Sequence, residues 1–184
     1  MTTITIQQDG NPESPRSWDN VGTMITFHGR YDLGDKDHGF NHEDYASWED
    51  MGAAIAKQYG KGCIILPLYL YDHSGITMNT TGFHCRWDSG QVGFIVASAE
   101  TIRKNFMVKR ITAKVRERAA ASLVGEVETF DQYIRGDVFG FIVKDDDGKV
   151  TDSCWGFYGT DPMENGMSDH FTADQHDMLR EAAK

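Results

Sequence analysis

The sequence predicts an α+β fold in which hairpin-forming strands make a mainly antiparallel sheet and the helices pack on one face. Three observations predict this class: strand-like stretches come in hairpin pairs, helical stretches come in groups, and no βαβ unit repeats along the chain. The length of 184 residues, with 40% hydrophobic residues, suits a single domain over residues 1–184. We expect its first 15 residues or so to form an N-terminal arm.

The first part of the chain predicts two strands and a loop. Residues 3–7 alternate as a short edge strand does, and the turn-rich residues 9–15 follow them. Residues 21–28 (VGTMITFH) carry the β-branched and aromatic side chains of a buried strand. Residues 29–41 contain glycines and aspartates without apolar periodicity, so we expect a functional or mobile loop there.

A helix and a buried strand come next. Apolar residues recur at helical spacing over residues 43–58, with Asn41 as the candidate N-cap and Gly60 as the end of the helix. Residues 63–71 form a continuous apolar run, which predicts a strand buried on both faces. Pro67 within this run favours an edge position or a bulge, because proline cannot donate to a strand ladder.

The rest of the chain continues with hairpins and helices. The turn at residues 72–75 predicts that the strand before it pairs with the strand after it. The pair Asp147-Gly148 predicts a second tight hairpin turn, and Thr172 with Gln175 predicts a capping box for a last helix. The remaining predicted elements are strands over residues 76–80, 91–97, 138–143 and 149–158, and helices over residues 99–106 and 112–136, with Gly125 as a candidate break.

Charge and composition favour a cytoplasmic protein that does not bind nucleic acid non-specifically. The net charge of -10, from 18 Lys plus Arg against 28 Asp plus Glu, opposes the counterion release that drives sequence-independent binding to a phosphate backbone. Seven Lys and Arg gather at residues 103–118, which we interpret as a solvated helix face. Three scattered cysteines fit no disulfide framework, and no apolar run approaches the roughly 20 residues of a membrane span. The oligomeric state stays open.

Six ordered words of the sequence resemble a family of bacteriophage and prophage proteins. The words are WDNVGTM, HGRYDLGD, LYLYDHSGITMNTTGF, WDSGQVGFI, GEVETFDQY and GDVFGF, and they span about residues 15–141. The family is uncharacterised, so the resemblance brings no catalytic residues with it. What it implies is a phage context, in which the protein would act inside a host cell.

The middle of the chain, residues 66–96, has the highest density of unusual polar residues. Strand-like runs enclose Asp72, His73 and Asp88 there, and these three are candidate catalytic residues because a His beside a carboxylate can transfer protons near neutral pH. The alternative interpretation is structural, since aspartates also stabilise turns through the backbone. We expect the two turns that carry these residues to converge in space, with the loop at residues 28–42 as a further wall.

Candidate ligand-binding residues are aromatic, charged and amide side chains on the same loops. They are Trp18, Asp19, Arg30, Asp35, Arg86, Trp87 and Gln91. Exposed aromatic side chains beside Arg30 or Arg86 would form a nucleotide pocket. With the acidic charge and the phage resemblance, this gives the leading hypothesis: a phage accessory protein that binds a host protein or a small nucleotide-like ligand against host defence.

A metal site and a hydrolase are the alternatives. The candidate metal ligands are His28, Asp35 and His38, because imidazole with carboxylate suits zinc, manganese or iron, although their spacing matches no pattern such as HExxH. The hydrolase would act on a phosphoester or nucleotide, and the sequence names no cofactor for it. Its catalytic groups, around a metal or a water, would be Asp35, Asp72, His73 and Asp88. An enzyme should gather these groups in one concave pocket, whereas a binding protein should show an exposed patch and aspartates that cap turns.

Overall fold

A computed structural model of the chain describes residues 2–184, so Met1, the first residue of the predicted arm, lies outside the described residues. The strands in the described part are β1 (Thr3–Gln8), β2 (Thr23–Thr26), β3 (Ile64–Asp72), β4 (Ile76–Asn79), β5 (Ser89–Ala97), β6 (Val138–Lys144) and β7 (Val150–Tyr158). The α-helices there are α1 (Trp48–Tyr59), α2 (Ala99–Asn105), α3 (Ala113–Arg135) and α4 (His176–Ala182). These helices and two antiparallel sheets confirm the predicted α+β class.

The described chain divides into two compact units, one formed by the residues up to Pro15 together with Gln132–Lys184, the other by Arg16–Asp131. Each unit contains one of the two sheets. A single domain over residues 1–184 stays a prediction.

The three-stranded sheet of the first unit has the order β1-β6-β7, so β1 is an edge strand as predicted. Ile4, Phe141 and Leu179 lie in the core of this unit, where α4 packs beside β1. The hairpin between β6 and β7 closes where the backbone N–H of Gly148 donates to the carbonyl oxygen of Asp145 at 3.0 Å. The predicted hairpin is therefore confirmed, but its turn is centred on Asp146-Asp147, and Gly148 follows them with a φ of 77°.

The four-stranded sheet of the second unit has the order β2-β5-β3-β4. Every residue of β5 from Val92 to Ala97 is buried, which means that both faces of this strand are covered. On one face, Met51 and Ile55 of α1 pack against Ile25 and Phe94. This sheet positions the candidate functional site, because the loops that follow β3 and β4 meet at the start of β5.

Pro67 lies in the part of β3 that has a neighbour on one side only. It pairs with Phe94 of β5, whereas β4 pairs with β3 only from Tyr69 to Asp72. The pairing of β3 with β5 also shifts register between Leu68 and Tyr69, one residue beyond the proline. Both predicted settings for Pro67, a local edge and a nearby bulge, are therefore present.

The predicted start of the first helix at residue 43 is wrong. Asn41 caps only a short 3-10 turn at His42–Asp44, where its side chain accepts from the backbone N–H of Glu43. The α-helix starts later because Ser47 supplies a second cap, with its Oγ accepting from the N–H of Asp50 at 3.1 Å. Gly60 ends the helix as predicted.

Gly125 does not break the long helix, since α3 is continuous through it. A glycine within a helix costs about 1 kcal/mol relative to alanine. The buried side chains of Leu123 and Val127 anchor the helix on either side of this glycine and offset that cost. Across residues 2–184, no helix combines the length and the apolar character needed to cross a membrane.

Candidate functional site

The two turns that were expected to converge do lie together. β3 ends at Asp72, and the backbone N–H of Asp72 donates to the carbonyl oxygen of Asp88 at 2.8 Å. His73 Nδ1 lies 3.5 Å from Asp88 Oδ2. The His73 side chain is 63% exposed, so water screens this contact strongly. The convergence is thus a feature of the fold, while the catalytic role of these residues stays a prediction.

Asn79 shapes the loop that joins β4 to β5. Its Oδ1 accepts from the backbone N–H groups of Thr81 at 3.1 Å and of Gly82 at 2.7 Å, and its Nδ2 donates to the Gly82 carbonyl oxygen at 3.1 Å. Gly82 has a φ of 87°, a conformation that side-chain-bearing residues rarely adopt. A Cβ at Gly82 would lie 3.8 Å from the ring of Tyr69. This turn therefore carries residues 83–87 close to β3.

Cys85 and Ser89 fix the other end of the loop. Ser89 Oγ donates to the carbonyl oxygen of Cys85. The Cys85 thiol donates to Asp88 Oδ2 at 3.5 Å, which is the same oxygen that His73 approaches. The Cys85 thiol is therefore paired with the Asp88 carboxylate and not with the His73 imidazole. This arrangement does not favour a cysteine nucleophile, which needs a base within hydrogen-bond reach.

A cavity of about 550 Å³ opens between β3, this loop and the start of β5. Its walls combine aromatic rings, basic side chains and hydrogen-bonding groups: Tyr69, Thr81, Gly82, Phe83, His84, Arg86, Ser89, Gly90 and Gln91. None of these described wall residues carries a carboxylate. Gln91 Nε2 donates to the carbonyl oxygen of Gly93 at 3.2 Å, which leaves its Oε1 as an acceptor. Two of the predicted ligand-binding residues, Arg86 and Gln91, therefore meet in one cavity.

Trp87 lies next to this cavity in the chain and is 96% exposed. Hydrogen bonds link Cys85 to Asp88 and to Ser89 on either side of it, so the indole lies within a hydrogen-bonded loop. Exposed tryptophans are enriched where proteins contact other molecules, because the ring offers a large apolar surface. Trp87 is therefore a candidate contact residue at the edge of the cavity.

A second and larger cavity, of about 820 Å³, lies along the loop after β2. Its walls are Thr26, Phe27, His28, Gly29, Arg30, Tyr31, Asp32, Leu33, Asn41, His42 and Glu43. The Asp72 carboxylate connects this loop to β3, because Arg30 Nη1 and the Tyr31 hydroxyl each lie 3.3 Å from one of its oxygens. His28 stacks on Tyr31 with ring centroids 5.0 Å apart. The loop therefore forms a wall beside Asp72 as expected, but Arg30 and Arg86 line different cavities.

We call the four ionisable residues at and beside these turns the Asp72 cluster: Arg30, Asp72, His73 and Asp88. The name Arg16 cluster is used for three side chains at the entry to β2: Arg16, Asp35 and Glu126.

Asp35 is held in the interior by Arg16. Arg16 Nε and Nη2 donate to the two Asp35 carboxylate oxygens at 2.8 and 2.7 Å, and the backbone N–H of Met24 donates to Oδ2 at 2.8 Å. The Arg16 and Asp35 side chains are 6% and 20% exposed. Gly34 permits this approach, since a Cβ there would lie 2.8 Å from Thr26 Oγ1 and 2.9 Å from the Met24 carbonyl oxygen. Asp35 lines neither cavity, so the structure does not support the ligand, metal and hydrolase roles predicted for it.

Glu126 of α3 completes the Arg16 cluster. Arg16 Nη1 donates to Glu126 Oε2 at 3.2 Å, and the backbone N–H of Val21 donates to Oε1 at 2.6 Å. Burial lowers the pKa of Arg16, but the hydrogen bonds and charges of Asp35 and Glu126 raise it more, so the guanidinium stays charged. Sequence reasoning missed Arg16 and Glu126. One signal in the sequence could have indicated the cluster. Glu126 directly precedes Val127, which is buried, and a carboxylate close to the core needs a cationic partner.

The predicted metal ligands do not form a metal site. Within residues 2–184, no group of three or more His, Cys, Asp or Glu side chains is arranged to hold a metal ion. Of the three candidates, Asp35 binds Arg16, while the Nδ1 atoms of His28 and His38 accept backbone N–H groups two residues further along the chain, at 3.3 and 3.2 Å. Each candidate therefore has a local contact of its own.

Trp18 and Asp19 lie in the turn before β2. The Trp18 carbonyl oxygen accepts from the backbone N–H and from the side-chain amide of Asn20, each at 3.0 Å. Neither Trp18 nor Asp19 lines either of the two cavities. The structure therefore does not bring these two predicted ligand-binding residues together with Arg86 and Gln91.

The cavity beside Trp87 is the part of the molecule that is best suited to bind a ligand, because it combines ring faces, a guanidinium and a free amide oxygen. Comparison of the chain with protein-family models, with curated proteins and with solved structures finds no match.

Proposed function

We propose that this protein is a phage accessory protein that binds a small nucleotide-like ligand in the cavity lined by Tyr69, Phe83 and Arg86. It acts in the cytoplasm of the host cell and counters host defence by lowering the free concentration of that ligand. The phage context rests on the resemblance of the six sequence words. The ligand class rests on the chemistry of the cavity walls, which is the observation that carries the proposal.

The walls supply the three groups that a nucleotide needs. The rings of Tyr69 and Phe83 offer apolar faces for a base. The guanidinium of Arg86 is a planar donor that pairs with phosphate oxygens through two hydrogen bonds. Gln91 Oε1 accepts from an amino group on a base edge. The volume of about 550 Å³ is in the usual range for small-molecule sites.

The acidic net charge of -10 is compatible with an anionic ligand at this position. Charges further away than about 8–10 Å are largely screened at physiological ionic strength, so the nearest side chains decide the local potential. His84 and Arg86 line the cavity, and its described wall residues include no carboxylate. The neighbouring Asp88 carboxylate already accepts from Cys85 and contacts His73.

The test is a binding experiment on the substitution Arg86→Gln. Isothermal titration calorimetry of the full chain with a panel of linear and cyclic mononucleotides and dinucleotides should reveal a ligand, and the Arg86→Gln substitution should weaken its binding about tenfold, since a charge-assisted hydrogen bond is lost. The matched control is Arg118→Gln, an exposed arginine on α3 that lines neither cavity. It should leave the affinity within about twofold of the original value.

Chromatography of the same mixtures distinguishes a binding protein from the alternative hydrolase. Recovery of the bound nucleotide unchanged supports sequestration. Conversion of the nucleotide, lost on substitution of His73 or Asp88, would instead favour the phosphoester hydrolase. No binding of any panel member, or equal weakening by Arg86→Gln and Arg118→Gln, would overturn the proposal.

A host protein is the second candidate ligand, favoured by the 96% exposure of Trp87. A partner that buries this indole would gain a large apolar contact at the centre of an interface. Pull-down from host lysate, with mass spectrometry of the captured proteins, should recover one protein with the original chain and lose it with Trp87→Ala. The control is Met107→Ala, because Met107 is 91% exposed elsewhere in the same unit. Equal recovery with both variants would exclude Trp87 as the contact.

A further inference from the structure

A third cavity, lined by cationic side chains, lies beside the start of β3 in the four-stranded sheet. We propose that the cavity walled by Lys61, Arg103, Lys109, Arg110 and Arg116 binds the phosphate group of a small phosphorylated compound. This site is independent of the nucleotide cavity proposed above. The sequence pattern suggested only a solvated helix face for most of these residues, and Lys61 was not connected with them.

Four segments of the chain build this cavity. Lys61 and Gly62 precede β3, and Arg103 lies on α2. Lys109 and Arg110 lie in the connection between α2 and α3. Because β3 and β5 are antiparallel, the start of β3 and the α2 helix that follows β5 meet at the same edge of the sheet. Lys61 and cationic side chains from residues 103–116 are thereby gathered around a space of about 360 Å³.

Arg116 ties the walls together. Its Nη1 donates to the carbonyl oxygen of Gly62 at 3.2 Å and its Nη2 donates to that of Cys63 at 3.0 Å. These bonds connect the first turns of α3 to the segment before β3. The guanidinium remains charged while it makes them, so it contributes positive potential as well as structure. The Arg116 wall of the cavity is therefore fixed to the backbone that precedes β3.

The other four cations are available to a ligand. Within residues 2–184, none of Lys61, Arg103, Lys109 and Arg110 forms an ion pair with a carboxylate, and all four are exposed. Glu100 and Glu117 are the acidic residues nearest in sequence to Arg103, Lys109 and Arg110, and neither lines the cavity. In a protein with a net charge of -10, such an uncompensated group of cations concentrates positive potential at one place.

The backbone reinforces the preference for an anion. Thr112 and Ala113 also line the cavity, and Ala113 is the first residue of the 23-residue helix α3. The N-terminus of a helix carries partial positive charge, which stabilises a nearby phosphate. The volume of about 360 Å³ is at the lower end of small-molecule sites, so it suits one or two phosphate groups with a small substituent.

The two cavities are well separated along the sheet. The first is lined by Tyr69 near the end of β3, whereas the second begins at Lys61 before β3. An extended strand rises about 3.3 Å per residue, so the five steps of β3 from Ile64 to Tyr69 alone correspond to roughly 16 Å. No residue lines both cavities, so a substitution in one wall leaves the other wall unchanged, and the failure of one proposal is distinguishable from the failure of the other.

The test compares two double substitutions that remove the same charge. Lys109→Ala with Arg110→Ala changes the cavity wall, whereas Lys104→Ala with Lys114→Ala changes the same basic segment at two exposed residues that do not line the cavity. Calorimetric titration of the full chain with inorganic pyrophosphate should give one bound ion per chain. The wall variant should weaken binding about tenfold or more, and the control variant should stay within about twofold.

Circular dichroism of both variants establishes that each keeps its fold. Absence of pyrophosphate binding by the original chain would overturn the proposal, as would equal weakening in the two variants, because general charge attraction would then explain the result. Binding of a single-stranded oligonucleotide without binding of pyrophosphate would also overturn it in favour of a nucleic-acid surface. Weakening by Arg86→Gln but not by the wall variant would assign the phosphate to the first cavity.

Discussion

The Arg16 cluster and the Asp72 cluster contain the same residue types, yet they use them in opposite ways. In the Arg16 cluster, one guanidinium forms hydrogen bonds with two carboxylates, at distances from 2.7 to 3.2 Å. In the Asp72 cluster, the Arg30–Asp72 and His73–Asp88 contacts are 3.3 and 3.5 Å long, and the side chains of Arg30 and His73 are mostly exposed. The first cluster stabilises the fold and the second faces solvent.

The difference shows that a structural carboxylate can be told from one that is available to a ligand by the number of hydrogen bonds it accepts from the protein. Asp35 and Glu126 each accept backbone N–H groups in addition to the guanidinium. Such oxygens have little capacity left for a substrate or a metal ion. Asp88 has only weak side-chain contacts with His73 and Cys85, so its carboxylate can still respond to a ligand. Aspartates that look alike in the sequence therefore divide into two classes.

The largest expected effect is that of Arg16→Gln. This substitution removes the charge that compensates Asp35 and Glu126, whose side chains are only 20% and 14% exposed. Removing one partner of a buried ionic network costs about 3–5 kcal/mol, because a carboxylate is left without its cation. Urea unfolding followed by circular dichroism should show this loss of unfolding free energy.

Arg30→Gln is the matched control, since it makes the same chemical change in the Asp72 cluster. Arg30 is 72% exposed, so its ion pair with Asp72 should contribute less than about 1 kcal/mol. A similar loss of stability from both substitutions would contradict the division into an interior and a surface cluster. So would an Arg16→Gln variant that unfolds at the same urea concentration as the original chain.

Local sequence signals account for the parts of the fold that were predicted well. α3 repeats buried residues at helical spacing, the connection between β6 and β7 contains Asp147-Gly148, and Gly60 follows the last residue of α1. The meeting of the two turns of the candidate site also followed from local patterns. A hairpin between β3 and β4 and a following strand that pairs with β3 leave few other places for these turns.

The features that were missed depend on contacts between distant residues. Arg16 and Glu126 are 110 residues apart, and Asp131 of α3 accepts from Thr77 Oγ1 at 2.7 Å across 54 residues. Lys61 joins the basic segment only through the pairing of β3 with β5. The late start of α1 has a different cause. Asn41 and Ser47 are both residue types that favour the N-cap position, so the sequence alone does not show which of them starts the α-helix. In the structure, a 3-10 turn follows Asn41 and the α-helix follows Ser47.

The smallest expected effect on stability is that of Asp88→Asn. The carboxylate contacts an imidazole that is 63% exposed, whereas the backbone carbonyl that holds Asp72 is unchanged by the substitution. The free energy of unfolding in urea should therefore change by less than about 0.5 kcal/mol. Asp35→Asn is the matched control and should cost several times more, since it weakens a pairing with an arginine that is only 6% exposed. A loss above about 1.5 kcal/mol for Asp88→Asn would place Asp88 among the structural carboxylates. The contacts at the turns of Asp72 and Asp88 would then serve to stabilise the fold and not to bind a ligand.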